Sequence, residues 1–125
     1  MDYGSPLRMA RPILFVDDSA LIRAATTRHL VGRGLQVTAL GSSAEAEAVD
    51  ATGFAAALLD IELGDGFGPD VAARLRQASP ALPIAFLTAG GTPDVLDAAR
   101  AFGPIFNKTA GIDEAVGWLL AIAGL

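Results

Sequence analysis

Four places in this 125-residue chain set a reactive side chain at the end of an apolar run. Pro12 to Val16 (PILFV) leads into Asp17-Asp18-Ser19, and Phe54 to Leu59 leads into Asp60, at the head of the glycine-rich loop Gly64, Gly66, Gly68. Leu82 to Leu87 ends in Thr88, and Pro104 to Asn107 (PIFN) ends in Lys108. A short apolar run closed by turn residues reads as a strand buried on both faces of a parallel sheet. Parallel strands bring their C-terminal ends to one edge, the place where open α/β sheets hold ligands. Crowded carboxylates repel one another and rise in pKa unless a cation compensates. With no cysteine and only His29, thiolate and two-histidine metal sets are excluded. A carboxylate and carbonyl oxygen set suits Mg²⁺, or Mn²⁺. A lysine and a hydroxyl opposite such an ion suit phosphoryl oxygens, which leaves Asp60 as the nucleophile that forms an acyl phosphate.

The elements that must place these groups alternate. After the first strand, Asp18 or Ser19 caps a helix over about residues 20–31, with Ile22, Ala25 and His29 on its apolar side and a stop at Gly32-Arg33-Gly34. Residues 35–40 (LQVTAL) alternate as a strand near a sheet edge does. Ser42 and Glu45 have capping-box spacing and predict a helix from Ser43 to about Ala51. The strand ending in Asp60 follows, then a helix opened by Pro69 and Asp70 that stops near Ala78. Thr92-Pro93-Asp94 opens the next helix, which ends near Phe102-Gly103, and the last spans about residues 112–123. Five βα units predict an α/β doubly wound, five-stranded parallel sheet with right-handed crossovers.

The totals bound the rest. The length suits one domain, and the apolar fraction of 52% is what buried parallel strands require. No apolar run approaches the roughly 20 residues of a spanning helix, and MDYGSPLRMARP lacks the apolar core of a secretory signal. Residues 1–10 read as a short leader and 11–125 as the domain. A net charge of -5 with scattered basic residues argues against a nucleic-acid surface. The expectation is a cytoplasmic protein with no membrane and no nucleic-acid partner.

These residues resemble the receiver domain of bacterial two-component response regulators. The matching pieces are ILFVDDS (13–19), LLDIELGDGFGPDVAARLR (58–76), PIAFLTA (83–89) and the lysine of IFNK (105–108). The resemblance implies a flavodoxin-like fold with strand order 2-1-3-4-5, and phosphorylation of Asp60 by a histidine kinase or phosphotransfer protein. It implies that Asp17, Asp18, Asp60 and the backbone carbonyl of Glu62 hold Mg²⁺, that Lys108 contacts the phosphoryl group, and that Thr88 moves to bond it. The output is then binding to a downstream target protein. The domain is no enzyme beyond its own phosphorylation and dephosphorylation.

Two features depart from that family. Its members usually carry proline after the lysine, with a cis bond before it, whereas Thr109 follows Lys108 here; a non-proline cis bond costs about 2.5–4 kcal/mol, so a trans bond is expected. The family's switch aromatic, three residues before the lysine, is replaced by Ile105, with Phe106 next. Ile105, Phe106 and Trp118 are therefore the candidate switch and partner face. Trp118, Ile122 and Leu125 either cover the core edge or form a patch for a partner or a homodimer through strand five and the last two helices. These departures also support a second reading, a pseudo-receiver that binds partners without phosphorylation. A third, an aspartyl-phosphate phosphatase with Glu62 as general acid, fits the Asp17-Asp18 pair less well. His29 is given no role.

Overall fold

In a computed structural model, which describes residues 11–124, five parallel strands form one sheet. They are β1 (Ile13–Val16), β2 (Val37–Leu40), β3 (Ala56–Asp60), β4 (Ile84–Thr88) and β5 (Ile105–Asn107), in the spatial order β2-β1-β3-β4-β5. The helices are α1 (Ala20–Gly32), α2 (Ser43–Glu47), α3 (Gly68–Ala78), α4 (Pro93–Arg100) and α5 (Ile112–Ala123). This is the flavodoxin-like doubly wound arrangement, with its change of direction between β1 and β3. The leader assigned to residues 1–10 lies outside the described residues, as does Leu125.

The side chains of successive strand residues go to opposite faces, and both faces are covered. Leu14, Val16, Ala57, Leu59, Ile84 and Phe86 pack with Ala46 of α2, Val71 and Leu75 of α3 and Ala99 of α4. Ile13, Phe15, Leu58, Ala85 and Leu87 pack with Leu30 of α1 and with Ala115, Val116 and Leu119 of α5. The chain steps one way from β1 to β2 and the other way thereafter. Connections of a single hand therefore send α1 to one face and α2, α3 and α4 to the other.

Local chemistry sets the helix ends. Ser19, not Asp18, caps α1, its Oγ accepting from the Ile22 N–H at 3.3 Å. Half of the expected Ser42 and Glu45 capping box forms, with Ser42 Oγ accepting from the Glu45 N–H, while Glu45 Oε1 accepts from the Gly41 N–H, one residue before the cap. That helix ends at Glu47 rather than near Ala51. Asp50 Oδ1 accepts from the Thr52 N–H at 3.0 Å and its hydroxyl at 2.6 Å, which diverts the chain into a single 3₁₀ turn, Ala51–Gly53. The glycine-rich loop contains a two-rung hairpin pairing Glu62-Leu63 with Gly66-Phe67, a feature absent from the sequence reading.

The apolar side expected of α1 is corrected. Thr26 and Leu30 are its buried residues, while Ala25 and His29 face solvent. His29 Nε2 lies 3.7 Å from Asp113 on α5. On α5 itself, Trp118 is half-buried and its ring centroid stands 6.4 Å from that of Phe106. Trp118 and Ile122 are both partly buried and pack on the α1/α5 core.

Candidate functional site

Asp17 follows β1 and Asp60 ends β3, and adjacent pairing of these strands brings the two acids side by side. Asp17 is fully buried and Asp60 is 5% exposed, whereas Asp18 is exposed. One carboxylate oxygen from each of the three lies within 4.8 Å of the others. Lys108, directly after β5, spans the width of β4 to reach them. Its Nζ lies 2.8 Å from Asp60 Oδ2 and 3.0 Å from Asp17 Oδ2, with its side chain 12% exposed.

Burial acts on both partners. It pushes the Asp60 carboxyl above its ordinary value, with Asp17 adding to the rise and the Lys108 hydrogen bond and charge opposing it. Burial alone lowers Lys108, but the hydrogen bond to Asp60 and the charges of Asp60 and Asp17 outweigh it, and the ammonium is held above its usual range. Asp17 Oδ1 accepts from the Ser19 N–H at 2.9 Å. Its buried Oδ2 meets the ammonium as an ion pair, off the line of a hydrogen bond, and has no hydrogen-bond partner. Two buried acids and a third at the rim, against one lysine, leave an oxygen-rich site short of positive charge. A hard divalent cation fits that donor set.

The loops hold this edge from both sides. Arg23 Nη1 donates to the Asp17 carbonyl at 2.7 Å, and a Cβ at Gly41 would come within 2.8 Å of that guanidinium. The Glu62 N–H donates to Asp60 Oδ1 at 3.4 Å, and the Glu62 side chain points to solvent. Asp65 caps the neighbouring helix, its carboxylate accepting from the Ser43 N–H at 2.8 Å and the Ala44 N–H at 3.1 Å. That fixes the loop in which Gly64 lies beside Asp18 Oδ2, where an added Cβ would stand 3.3 Å away.

The remaining candidates sit less directly. Thr88 ends β4 on the same edge, but its hydroxyl bonds the Gly90 carbonyl and accepts from the Gly90 N–H, not Asp60. Ile105 and Phe106 alternate, Ile105 packing on the α2/α3/α4 core and Phe106 on the α1/α5 core against Trp118. These three lie behind the edge and touch none of the acids in the contacts described. The sequence reading missed Arg23, Asp65 and Asn107. An arginine one helical turn past a cap, and an Asp-Gly or Asn-Lys-Thr turn, were the available signals. A shallow cavity of about 340 Å³ between α2 and α3, lined by Glu47, Val49, Arg74, Leu75 and Gln77, shares no residue with the edge.

Comparison with known proteins agrees with this fold. Among curated proteins none matches the chain. A receiver protein from Sinorhizobium medicae superposes with a TM-score of 0.80 at 22% identity, covering 92% of this chain and 95% of that one. The non-phosphorylated HemR receiver domain of Leptospira biflexa gives 0.78 at 25%, over 92% and 95%. The chemotaxis protein CheY4 of Vibrio cholerae gives 0.79 at 22%, over 90% and 98%. Residues 13–104 match the family described as the response regulator receiver domain. That span runs from β1 through Asp60 and Thr88 to the threshold of β5, and on it the chain belongs to the response regulator receiver domain family.

Proposed function

We propose that residues 11–125, behind a short leader at 1–10, act as a phospho-accepting receiver. Asp60 takes a phosphoryl group from a histidine kinase or phosphotransfer protein. An Asp60 carboxylate oxygen attacks phosphorus, the O–P bond forms as the donor's N–P bond breaks, and the imidazole leaves. The observation that carries this reading is the Asp60 carboxylate itself. It is nearly buried at a strand end, within reach of two other acids and bonded at 2.8 Å to Lys108. Asp17, Asp18, Asp60 and the Glu62 carbonyl hold Mg²⁺ in this reading, and the ion, when bound, offsets the negative charge of the phosphoryl oxygens. Lys108 moves from the carboxylates to a phosphoryl oxygen. Thr88, released from Gly90, donates to another. The signal then reaches a downstream protein through Ile105, Phe106 and the Trp118 side of α5, the surface on which a second copy would also dock.

The test is direct. Beryllofluoride with Mg²⁺, or acetyl phosphate with Mg²⁺, is expected to change Trp118 fluorescence in the native sequence and to do nothing in Asp60→Asn. An unresponsive native protein that still captures its target would favour the pseudo-receiver reading, for which the observation is the absence of an aromatic at position 105.

A further inference from the structure

Lys108 must place its ammonium between two acids across the width of a strand, and a long flexible side chain does so only if its backbone is held. On one side the Lys108 N–H donates to the Thr88 carbonyl of β4 at 2.9 Å. On the other side the hold comes from Asn107. Its Oδ1 accepts three donors, the Thr109 N–H at 2.8 Å, the Thr109 hydroxyl at 2.8 Å and the Ala110 N–H at 3.0 Å. The Asn107 carbonyl accepts from the Gly111 N–H at 2.9 Å. Gly111 is buried so closely on this turn that a Cβ would stand 2.7 Å from the Asn107 nitrogen. No cis peptide bond occurs among the described residues, so Lys108–Thr109 is trans.

An asparagine oxygen that gathers the next N–H groups fixes a turn by side chain alone. Here the turn begins one residue before the lysine and closes three residues after it. We infer that Asn107 is a positioning residue for Lys108. The role assigned to Lys108 rests on the phospho-acceptor reading, but the placement of its ammonium does not.

Two measurements separate these. The first observes the Lys108 ammonium by ¹H–¹⁵N NMR of the metal-free protein. A slowly exchanging signal is expected in the native chain and in Asn107→Asp, which keeps the acceptor oxygen. The signal is lost in Asn107→Ala and in Asn107→Gln, which moves that oxygen one methylene away while staying polar on an exposed turn. The second titrates beryllofluoride with Mg²⁺ in a double-mutant cycle with Lys108→Met. Asn107→Ala is expected to weaken binding about tenfold when Lys108 is present and less than about twofold in the Lys108→Met background. Asn107→Asp should stay within about twofold of the native protein. An unchanged ammonium signal in Asn107→Ala, or an equal loss in both backgrounds, overturns the inference. If Lys108→Met alone leaves beryllofluoride binding unaltered, it is the phospho-acceptor reading that fails, and the ammonium signal still decides the role of Asn107.

Discussion

The two halves of the functional edge are built by different means. At the ends of β1 and β3, the acids are placed by buried strands: Asp17 and Asp60 continue runs of fully buried apolar residues, and their neighbours on both faces are core side chains. At the ends of β4 and β5, Thr88 and Lys108 emerge onto loops whose shape is set by a few side-chain hydrogen bonds, of Thr88 with Gly90 and of Asn107 with Thr109 and Ala110. Packing gives the first half a fixed geometry. The second half rests on exposed hydrogen bonds, each worth about 0.5–1.5 kcal/mol net, so it is the half that rearranges at low cost. On the phospho-acceptor reading, the acceptor is the part that stays and the responders are the part that moves.

The contrast can be broken most severely at the fixed half. Asp60→Asn is expected to abolish phosphorylation by acetyl phosphate, read by intact-protein mass, with the fold retained in circular dichroism. Next comes the contact that joins the halves. Lys108→Met leaves Asp17 and Asp60 buried together without a cation, and breaking such a pair costs about 3 kcal/mol of stability in chemical denaturation of the metal-free protein. Added Mg²⁺ should recover more in that variant than in the native chain. Because Lys108 is raised above 10.5 in the folded state, its contribution is fully present below that pH and disappears as pH climbs through the folded value. The native and Lys108→Met curves should therefore converge only in strong alkali.

Smaller effects sharpen the comparison. Asp65 is held below its ordinary 3.8 by the Ser43 and Ala44 N–H groups. The stability it adds is present above that value and is lost as pH falls through the lower, folded one. Asp65→Asn should therefore destabilise the protein at neutral pH and match it in strong acid, as read by thermal unfolding across pH. The smallest effect is expected at Thr88→Ala, which removes only the exposed bonds to Gly90 and should cost less than about 1 kcal/mol at rest, while still blunting the beryllofluoride response.

What was legible in the sequence follows the same division. Most strands and the acids at their ends could be read because burial on two faces demands uninterrupted apolar runs, and a charge directly after one stands out, whereas the strand order was implied only by the family resemblance. Helix α5 was bounded correctly for the same reason, its apolar residues recurring on one face. Helix α1 was misread in phase. Its middle, Ala24 to Thr27, is small and weakly patterned, so nothing local decided between the Ala25/His29 side and the Thr26/Leu30 side that the sheet selects. The second helix was read too long because Asp50 competes for the backbone of Thr52, a two-residue effect that a periodicity argument passes over. Asn107 went unnoticed because its function is a turn, visible only once three donors are seen converging on one oxygen.

The two outermost strands have a further consequence. β2 is four residues long and β5 only three, and each offers its outer backbone groups over so short a span that strand addition has almost no template. On the proposed reading, docking of a target or of a second copy would then be written in side chains, where sequence can tune it position by position, and not in backbone pairing that any extended peptide could imitate.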